Sequence, residues 1–206
     1  MPIENLDETA RQILRAASER FLHYGYGKTT MSEIAKDCNM STGNLYRYFP
    51  SKLDIAESFA RQLRKDHIER LKRAVSQPDL SPEDKLRNLL KASFTLAYDR
   101  YHNRPKAFEL SMEILRERPE FALEWEEEEG AIITGVLAEG SAAGVFPAGN
   151  EARLARIVQD AVFRFTNPGI FAEVDYDMLS KELDEVIDLI LDAFSWRAST
   201  ARADVN

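Results

Sequence analysis

The spacing of apolar residues is the feature that most limits the folds open to this chain of 206 residues. Apolar residues recur every three or four positions, as in Ala10, Ile13, Leu14, Ala17 and Phe21, which is the spacing of an α-helix that buries one face. We find no stretch of useful length that alternates apolar and polar residues as a β-strand does. The sequence therefore predicts an all-α fold.

Capping side chains and prolines divide the chain into about nine predicted helices. Each predicted helix begins at a side chain that can cap a helix N-terminus or at a proline suited to the first turn. The predicted starts are Asp7, Thr30, Ser41, Ser51, Ser81, Pro105, Pro119 and positions near 150 and 176. The stretches "QPDLSPEDK", "GVFPAGN" and "TNPGIF" interrupt the pattern, and the last helix is predicted to end near residue 197.

Composition excludes several classes of protein. The chain is 44% hydrophobic, which is enough to form a core, but no run of eighteen apolar residues predicts a membrane span. The first residues lack the basic-then-apolar pattern of a secretory signal. The single Cys38 excludes an internal disulfide and a cysteine-based zinc site. We therefore expect a cytoplasmic protein that does not bind membranes.

The charges are divided unevenly along the chain. The net charge is −8, but residues 1–76 carry +3 and residues 77–206 carry −11. A basic-leaning N-terminal part joined to an acidic remainder favours an anionic partner for the N-terminal part. Two ordinary solvated surfaces are the alternative, and the division of charge alone does not exclude them.

The segment "GKTT", residues 27–30, resembles the end of a nucleotide-binding loop. Such a loop needs a glycine five residues before Gly27, where this chain has Leu22, and it should follow a buried strand. Here it follows a predicted helix instead. The motif therefore does not predict nucleotide hydrolysis.

Residues 30–49 have the layout of a helix-turn-helix. Two predicted helices of about seven residues, too short to be stable alone, are joined by "CNMS". Asn39 suits the left-handed backbone that a tight turn requires, and the small Ala35 allows close helix packing. In this motif the second helix enters the DNA major groove. A plain three-helix bundle with exposed tyrosines is the alternative.

The outward side of the second short helix predicts the DNA contacts. Asn44 can hydrogen-bond the edge of adenine, and Gly43 leaves room for another backbone. Tyrosine hydroxyls and basic side chains reach phosphates. The residues predicted to contact DNA are Lys28, Thr29, Thr30, Thr42, Gly43, Asn44, Tyr46, Arg47, Tyr48 and Lys52.

The stretch "GYGKTTMSEIAKDCNMSTGNLYRYFPSKLDI" resembles the DNA-binding signature of the TetR/AcrR family of transcriptional regulators. The match covers about residues 8–56, with Asn39 and Met40 standing where the family usually has Gly and Val. The resemblance implies a helix-turn-helix domain over residues 1–52 and a helical ligand-binding and dimerisation domain over residues 53–206, with residues 53–76 as the connecting helix. It also implies that Ser41 lies at the DNA.

The last two predicted helices carry apolar residues on more than one face, which suits an interface as well as a core. The resemblance implies a homodimer through a four-helix bundle, so that two recognition helices read a palindromic operator. The residues predicted at the interface are Ile157, Ala161, Val162, Phe165, Val186, Ile187, Ile190 and Phe194. A core confined to one chain is the alternative.

The middle helices combine large apolar side chains with a few polar groups, as small-molecule sites do. The resemblance implies a pocket there for an unknown small-molecule effector, whose binding shifts the fourth helix. The residues predicted to line it are Leu63, His67, Phe94, Tyr98, Tyr101, Phe108, Met112, Trp125 and Phe163. The same side chains would also pack an ordinary core.

We find no pattern that predicts catalysis, a metal or a cofactor. His102, Glu109 and Glu113 have loose spacing for metal ligands, with Pro105 between them. No histidine stands at a diagnostic distance from a nucleophile. The sequence therefore predicts a non-enzymatic, DNA-binding repressor released by an apolar or amphipathic ligand. A constitutive or architectural DNA-binding protein without an inducer stays open.

Overall fold

The computed structural model describes residues 7–167 and 174–203. Within those two ranges every regular element is an α-helix, and there are nine of them. They are α1 (Glu8–Tyr24), α2 (Met31–Asp37), α3 (Thr42–Tyr48), α4 (Lys52–Val75), α5 (Pro82–Asn103), α6 (Pro105–Glu117), α7 (Glu120–Ala142), α8 (Glu151–Thr166) and α9 (Tyr176–Ala203). The predicted all-α fold is confirmed. None of the described helices is long and apolar enough to cross a membrane.

The helices begin where local capping predicts. The Asp7 side chain accepts a hydrogen bond from the backbone N–H of Ala10, at 2.8 Å, and starts α1. Thr30 and Glu33 cap each other's backbone at the start of α2. The side chain of Ser41 caps α3 in the same way as Asp7 caps α1. These side chains satisfy amide groups that a helix leaves without partners in its first turn.

The last helix is longer than predicted. α9 continues to Ala203, six residues past the predicted end near residue 197. The sequence between these points contains neither glycine nor proline, so no local signal stops the helix. The predicted break "TNPGIF" lies mostly outside the described residues, since the description stops at residue 167 and resumes at 174.

Contacts within the chain define two compact units. Each unit contains two separate stretches of sequence, whereas the predicted domains divide the chain once, after residue 52. Unit 1 contains the described residues up to Asp66 together with His102–Glu124. Unit 2 contains His67–Tyr101 and the described residues from Trp125 onward. Both α4 and α7 therefore contribute one end to each unit.

The core of unit 1 forms where α1 packs against both α2 and α6, and α2 packs against α3. Phe21 of α1, Ile34 of α2 and Leu45 of α3 are fully buried, as is Ile114 of α6. Helices of seven residues are not stable alone, so α2 is held by its packing against α1, and α3 by its packing against α2. This packing fixes the position of α3 within unit 1.

The core of unit 2 is a continuous apolar cluster from the end of α4 and from α5, α7, α8 and α9. Ion pairs border it where α5 meets α7 and α9. Lys85 lies 2.5 Å from Glu139, and Lys91 lies 2.9 Å from Asp184. These pairs are partly exposed, so the stability of unit 2 comes mainly from the apolar cluster.

Candidate nucleic-acid interface

The turn between α2 and α3 has the predicted geometry. Asn39 has a φ of 53°, and its left-handed backbone is confirmed. The backbone N–H of Met40 donates to the carbonyl oxygen of Ala35 at 3.0 Å and closes the end of α2. Asparagine adopts this conformation more readily than other non-glycine residues. The turn therefore forms without the glycine that is usual there.

One side of α3 is anchored and the other is open. Leu45 is fully buried, while Tyr46 is 49% exposed. Gly43 and Arg47 are also exposed, and Thr42, Asn44 and Tyr48 are half-buried. Aromatic, amide and guanidinium groups on one open face are groups that bind phosphates and base edges.

Neither backbone conformation nor packing within the described chain requires glycine at position 43. Its φ lies outside the left-handed region, and a Cβ added there would meet no other atom within 4 Å. Glycine in a helix costs about 1 kcal/mol against alanine. The open space over Gly43 is consistent with the close approach of another molecule to the first turn of α3.

The loop before α2 is held by its own hydrogen bonds. Gly25 has a φ of +91°, and its carbonyl oxygen accepts from the Thr29 hydroxyl at 3.0 Å. The backbone N–H of Thr29 donates to the carbonyl oxygen of Tyr26 at 3.2 Å. The Thr29 side chain is thus internal, and the residue is 1% exposed. The structure corrects the predicted phosphate contact of Thr29, because its hydroxyl faces the core.

The predicted DNA contacts outside α3 differ in how far their side chains are available to bind DNA. Lys28 and Thr30 are exposed, although the hydroxyl of Thr30 also caps α2. Ser41 is exposed and caps α3. Lys52 is half-buried, and its Nζ donates to the carbonyl oxygens of Tyr26 and Thr29 at 2.7 and 2.8 Å. Lys28 is therefore available to a phosphate, while the Lys52 ammonium is engaged inside unit 1.

An ionic network along α4, which the sequence did not reveal, joins this helix to the start of α7 within unit 1. Arg61 and Arg64 donate to Glu124 at 2.6 and 3.0 Å. Both guanidinium groups also lie over the buried ring of Phe121, at 5.4 and 4.9 Å. The hydrogen bond from Arg61 and the further bond from Arg64 hold the pKa of Glu124 below its usual value, against a weaker opposing effect of burial. Partners 60 residues apart cannot be recognised from local spacing.

A second polar cluster, in unit 2, contains two of the residues predicted to line an effector pocket. Glu129 accepts from Trp125 Nε1 and lies against His67 Nε2, each at 2.6 Å. Arg100 approaches His67 Nδ1 at 3.2 Å and lies 4.6 Å from the centre of the Trp125 ring. Burial raises the pKa of Glu129, but the bonds from His67 and Trp125 outweigh it and leave the pKa lowered. His67 and Trp125 are therefore both engaged by the same Glu129 carboxylate in this structure.

The predicted aromatic residues of α5 lie in unit 2 and pack tightly. Phe94 is 1% exposed and stacks on Tyr176 with ring centres 5.1 Å apart. Tyr98 meets the Phe94 and Tyr176 rings edge-on at 5.9 and 5.0 Å. Tyr101 is half-buried. An apolar molecule reaching Phe94 would have to displace these rings.

The other predicted pocket residues divide between the units. Leu63 and Phe108 are half-buried in unit 1. Met112 of unit 1 and Phe163 of unit 2 are exposed by half or more. The structure corrects the prediction for Met112 and Phe163, since both side chains are exposed to solvent rather than enclosed within their own unit.

The predicted interface residues fall into two groups. The structure corrects four of them, because Val162, Phe165, Ile187 and Phe194 are buried in the core of unit 2. Ile157 and Ala161 are exposed on α8, and Val186 and Ile190 are half-buried on α9. Three exposed apolar residues of α9 were not predicted: Met178, Leu189 and Trp196. They recur on the side of α9 opposite its buried residues.

Within the described part of the chain, no group of three or more His, Cys, Asp or Glu side chains could hold a metal ion. His102 and Glu109 are exposed and Glu113 is half-buried. At α3 and its neighbouring loop, the described residues offer hydrogen bonding and charge.

Sequence models of known families match both halves of the chain. Residues 13–59 match the model for bacterial regulatory proteins of the tetR family, and residues 82–187 match a tetracyclin repressor-like C-terminal domain. The chain belongs to the TetR family. This regulator therefore carries the family's DNA-binding region, which contains most of α1 and all of α2 and α3.

Individual proteins similar to this chain are regulators as well. A fatty acid metabolism regulator protein of Bacillus subtilis is 27% identical over 185 residues, which is 87% of this chain and 92% of the relative. A probable transcriptional regulator ArpR of Pseudomonas putida is 29% identical over 87 residues, but this match spans 42% of the chain and 41% of ArpR. The crystal structure of Thermus thermophilus FadR with lauroyl-CoA shares the fold, with a TM-score of 0.63 at 24% identity, covering 88% and 93% of the two chains.

Proposed function

We propose that this TetR-family regulator is a homodimeric repressor that leaves a palindromic operator when its C-terminal domain binds a fatty acyl-CoA. The observation that carries the proposal is the similarity to the fatty acid metabolism regulator of B. subtilis, because it spans 92% of that protein and so includes its C-terminal half. A second regulator with the same fold, from T. thermophilus, was crystallised with lauroyl-CoA. A DNA-binding regulator of this kind acts in the cytoplasm, where the operator is.

The exposed face of α3 supports the DNA-binding part of the proposal. Tyr46 and Arg47 supply a hydroxyl and a guanidinium group for phosphates, and the edge of Asn44 suits adenine. A helix of seven residues reads only a few base pairs. Two such helices about 34–36 Å apart would read two half-sites in successive major grooves.

An apolar face on α8 and α9 supports the dimer. Ile157 and Ala161 lie one turn apart on α8, and both are exposed. On α9, Leu189 is 69% and Trp196 is 65% exposed, and these residues are spaced seven apart on one side of the helix. Large exposed apolar side chains in such a row are typical of surfaces that another protein covers. We propose this face, in place of the buried residues, as the contact between two copies.

Release from the operator requires the acyl-CoA to bind the DNA-free conformation more tightly than the DNA-bound one. A hundredfold loss of operator affinity corresponds to a coupling free energy of about 2.7 kcal/mol. The acyl chain would supply apolar area to be buried in unit 2. Such binding would have to open the packing around Phe94, which the structure shows closed.

A DNA-binding titration tests the proposal. The labelled duplex comes from the DNA that flanks the regulator's own coding region, and a scrambled duplex of equal length competes at roughly 150 mM salt. We expect tight binding that the scrambled duplex does not displace, and release by lauroyl-CoA at micromolar concentration. Free coenzyme A and free laurate are the matched controls. Release by either control alone, or no release by lauroyl-CoA, would contradict the proposed effector.

The tight packing of unit 2 favours a second candidate, a DNA-binding protein without an inducer. Phe94 is enclosed by aromatic rings, and His67 and Trp125 are both bonded to Glu129. For such a protein, acyl-CoA would leave the unfolding temperature unchanged. For the repressor, we expect a saturable rise in that temperature, because a ligand that binds only folded protein stabilises it.

A further inference from the structure

Arg20 of α1 joins this helix to the first turn and to the last residue of α2. Its guanidinium group donates to both carboxylate oxygens of Asp37, from Nε to Oδ2 and from Nη2 to Oδ1, the latter at 3.1 Å. The third nitrogen, Nη1, lies 3.4 Å from Oε1 of Glu33 in the first turn of α2. The Arg20 side chain is 19% exposed, so these ion pairs are partly removed from water. All three nitrogens of one side chain therefore contact carboxylates of α2.

The position of the Arg20 guanidinium group is also fixed from within α1. Its central carbon lies 5.6 Å from the centre of the Tyr24 ring, one turn further along α1, within the range of a cation–π contact. The hydrogen bond from Arg20 holds the pKa of Asp37 below its usual value, against the opposing effect of burial. Asp37 is therefore ionised at neutral pH. A guanidinium group bound to a carboxylate through two nitrogens has a defined geometry, which a single ion pair lacks.

α2 has little apolar surface with which to define its rotation on α1. It contains seven residues, and its buried residues are Met31, Ile34 and Ala35. A helix of two turns is not stable alone, so its orientation depends on the contacts it makes. Glu33 and Asp37 lie one turn apart and beside this buried stripe. Contacts on a second side of α2 resist its rotation about the helix axis.

The orientation of α2 determines how α3 is presented to DNA. α3 packs against α2, and the turn at Asn39 joins the two helices. A rotation of α2 on α1 would therefore move the open face of α3. Hydrogen bonds to base edges require distances of about 3 Å, so such a movement would weaken them. The attraction between basic side chains and phosphates depends much less on the position of α3.

We infer that Arg20 is a positioning residue for sequence recognition, which fixes the rotation of α2 on α1 and thereby the presentation of α3 to base edges. In this assignment Arg20 acts through Asp37 and Glu33. The inference rests on the DNA-binding function of the regulator.

A substitution that conserves charge tests this role. Arg20→Lys keeps the positive charge, but an ammonium group cannot reproduce the two-nitrogen bond to Asp37. Arg15→Lys is the matched control, because Arg15 of the same helix pairs with Glu8 inside α1. We would measure the affinities of each full-length protein for the operator duplex and for the scrambled duplex, and take their ratio as the specificity. The temperature is set where all the proteins are folded.

The expected results separate positioning from charge. Arg20→Lys should lower the specificity by about tenfold, on the order of one lost base contact, and leave the affinity for the scrambled duplex unchanged. Asp37→Asn should lower the specificity by a similar factor. The two substitutions combined should lower it no further, because both remove the same interaction. Arg15→Lys should leave the specificity unchanged. Without DNA, Arg20→Lys should speed amide hydrogen exchange in α2 and α3 but not in α1.

Several outcomes would overturn the inference. Unchanged specificity in Arg20→Lys would mean that apolar contacts alone orient α2. An equal loss of affinity for both duplexes would mean that Arg20 contacts the DNA backbone directly. Additive losses for Arg20→Lys and Asp37→Asn would mean that Arg20 does not act through Asp37. If the unaltered regulator prefers no operator, the proposed function fails, and the exchange comparison still tests Arg20 because it needs no DNA. Unchanged exchange in α2 and α3 would then overturn the inference.

Discussion

Asn39 illustrates how much of the DNA-binding geometry depends on single residues. Its left-handed backbone, with a φ of 53°, lets the chain turn between α2 and α3 within four residues. This conformation costs most side chains roughly 1–2 kcal/mol, while asparagine visits it as a single residue more readily. The hydrogen bond from Met40 to Ala35 fixes the turn on one side, and the Ser41 cap fixes it on the other.

Two substitutions at this position test that account. Asn39→Ala should lower the free energy of unfolding by about 1 kcal/mol, because alanine must adopt the left-handed backbone. Asn39→Gly, which has no Cβ, is the control and should change the stability by a few tenths of a kcal/mol at most. Both values come from urea denaturation followed by circular dichroism. Equal losses in the two variants would show that the asparagine side chain, rather than the backbone conformation, holds the turn.

At this scale the sequence predicts well where the signal is local. Asn39, Thr30 and Ser41 act on residues within three positions of themselves, so residue type and spacing are enough to predict their roles. Thr29 is misleading, because residue type suggests a phosphate contact for a threonine beside a glycine-rich loop, while its side chain is buried. The orientation of the Thr29 hydroxyl depends on the backbone of Gly25. The position of the Lys52 ammonium depends on the carbonyl oxygen of Thr29, 23 residues earlier.

At the scale of elements, α4 combines two kinds of interaction in its unit 1 portion. Its apolar residues, such as Ile55 and Phe59, are buried, while Arg61 and Arg64 reach Glu124 at the start of α7. Glu124 is partly exposed, so the ion pairs contribute less than their number suggests. Their geometric effect is more important, since both guanidinium groups cover the ring of Phe121 and fix its position against α4.

The lowered pKa of Glu124 gives a stability test with a definite sign. A carboxyl group whose pKa is lower in the folded state than in the unfolded state stabilises the protein at pH values above its unfolded pKa, here 4.5. That contribution disappears as the pH falls through the folded pKa. We expect Glu124→Gln to be less stable than the unaltered protein by about 0.5 kcal/mol at pH 7, with the difference vanishing towards pH 3. Denaturant titrations across this range measure it.

The exposed Glu127 provides the control for that experiment. Glu127→Gln removes an exposed carboxylate of the same helix, and at pH 7 it should lower the unfolding free energy less than Glu124→Gln does. A difference for Glu124→Gln that is constant from pH 7 to pH 3 would mean that the ion pairs are not its source. The sequence could not indicate this network, because its members come from distant parts of the chain and charged residues are common on both helices.

At the scale of the whole molecule, α8 and α9 decide the oligomeric state in our proposal. Both helices are apolar on more than one side, and the sequence alone could not tell which side packs within the chain. The structure assigns Ile187 and Phe194 to the core of unit 2 and leaves Leu189 and Trp196 outside. Periodicity locates an apolar face of a helix, but packing against α5 and α7 determines which of two faces is buried.

Leu189→Glu tests the proposed contact between two copies. A charge at the centre of an apolar interface has no partner there, so we expect monomers in light scattering after size exclusion. Operator binding should weaken by roughly a hundredfold, since one half-site remains per molecule. Leu123→Glu changes another exposed leucine, in unit 1, and should leave both the mass and the operator affinity unaltered. A dimeric Leu189→Glu protein would place the contact elsewhere.

The membership of α6 in unit 1 limits how this regulator can be re-engineered. Leu110 and Ile114 of α6 are buried, and this helix packs against α1. A chimera that joins residues 1–52 to a foreign sensor would therefore take the DNA-reading helices without the helix that covers α1. A transplant of the DNA-reading part has to include two separate stretches of sequence, up to Asp66 and His102–Glu124. The part that can be exchanged as a module is thus discontinuous in the gene.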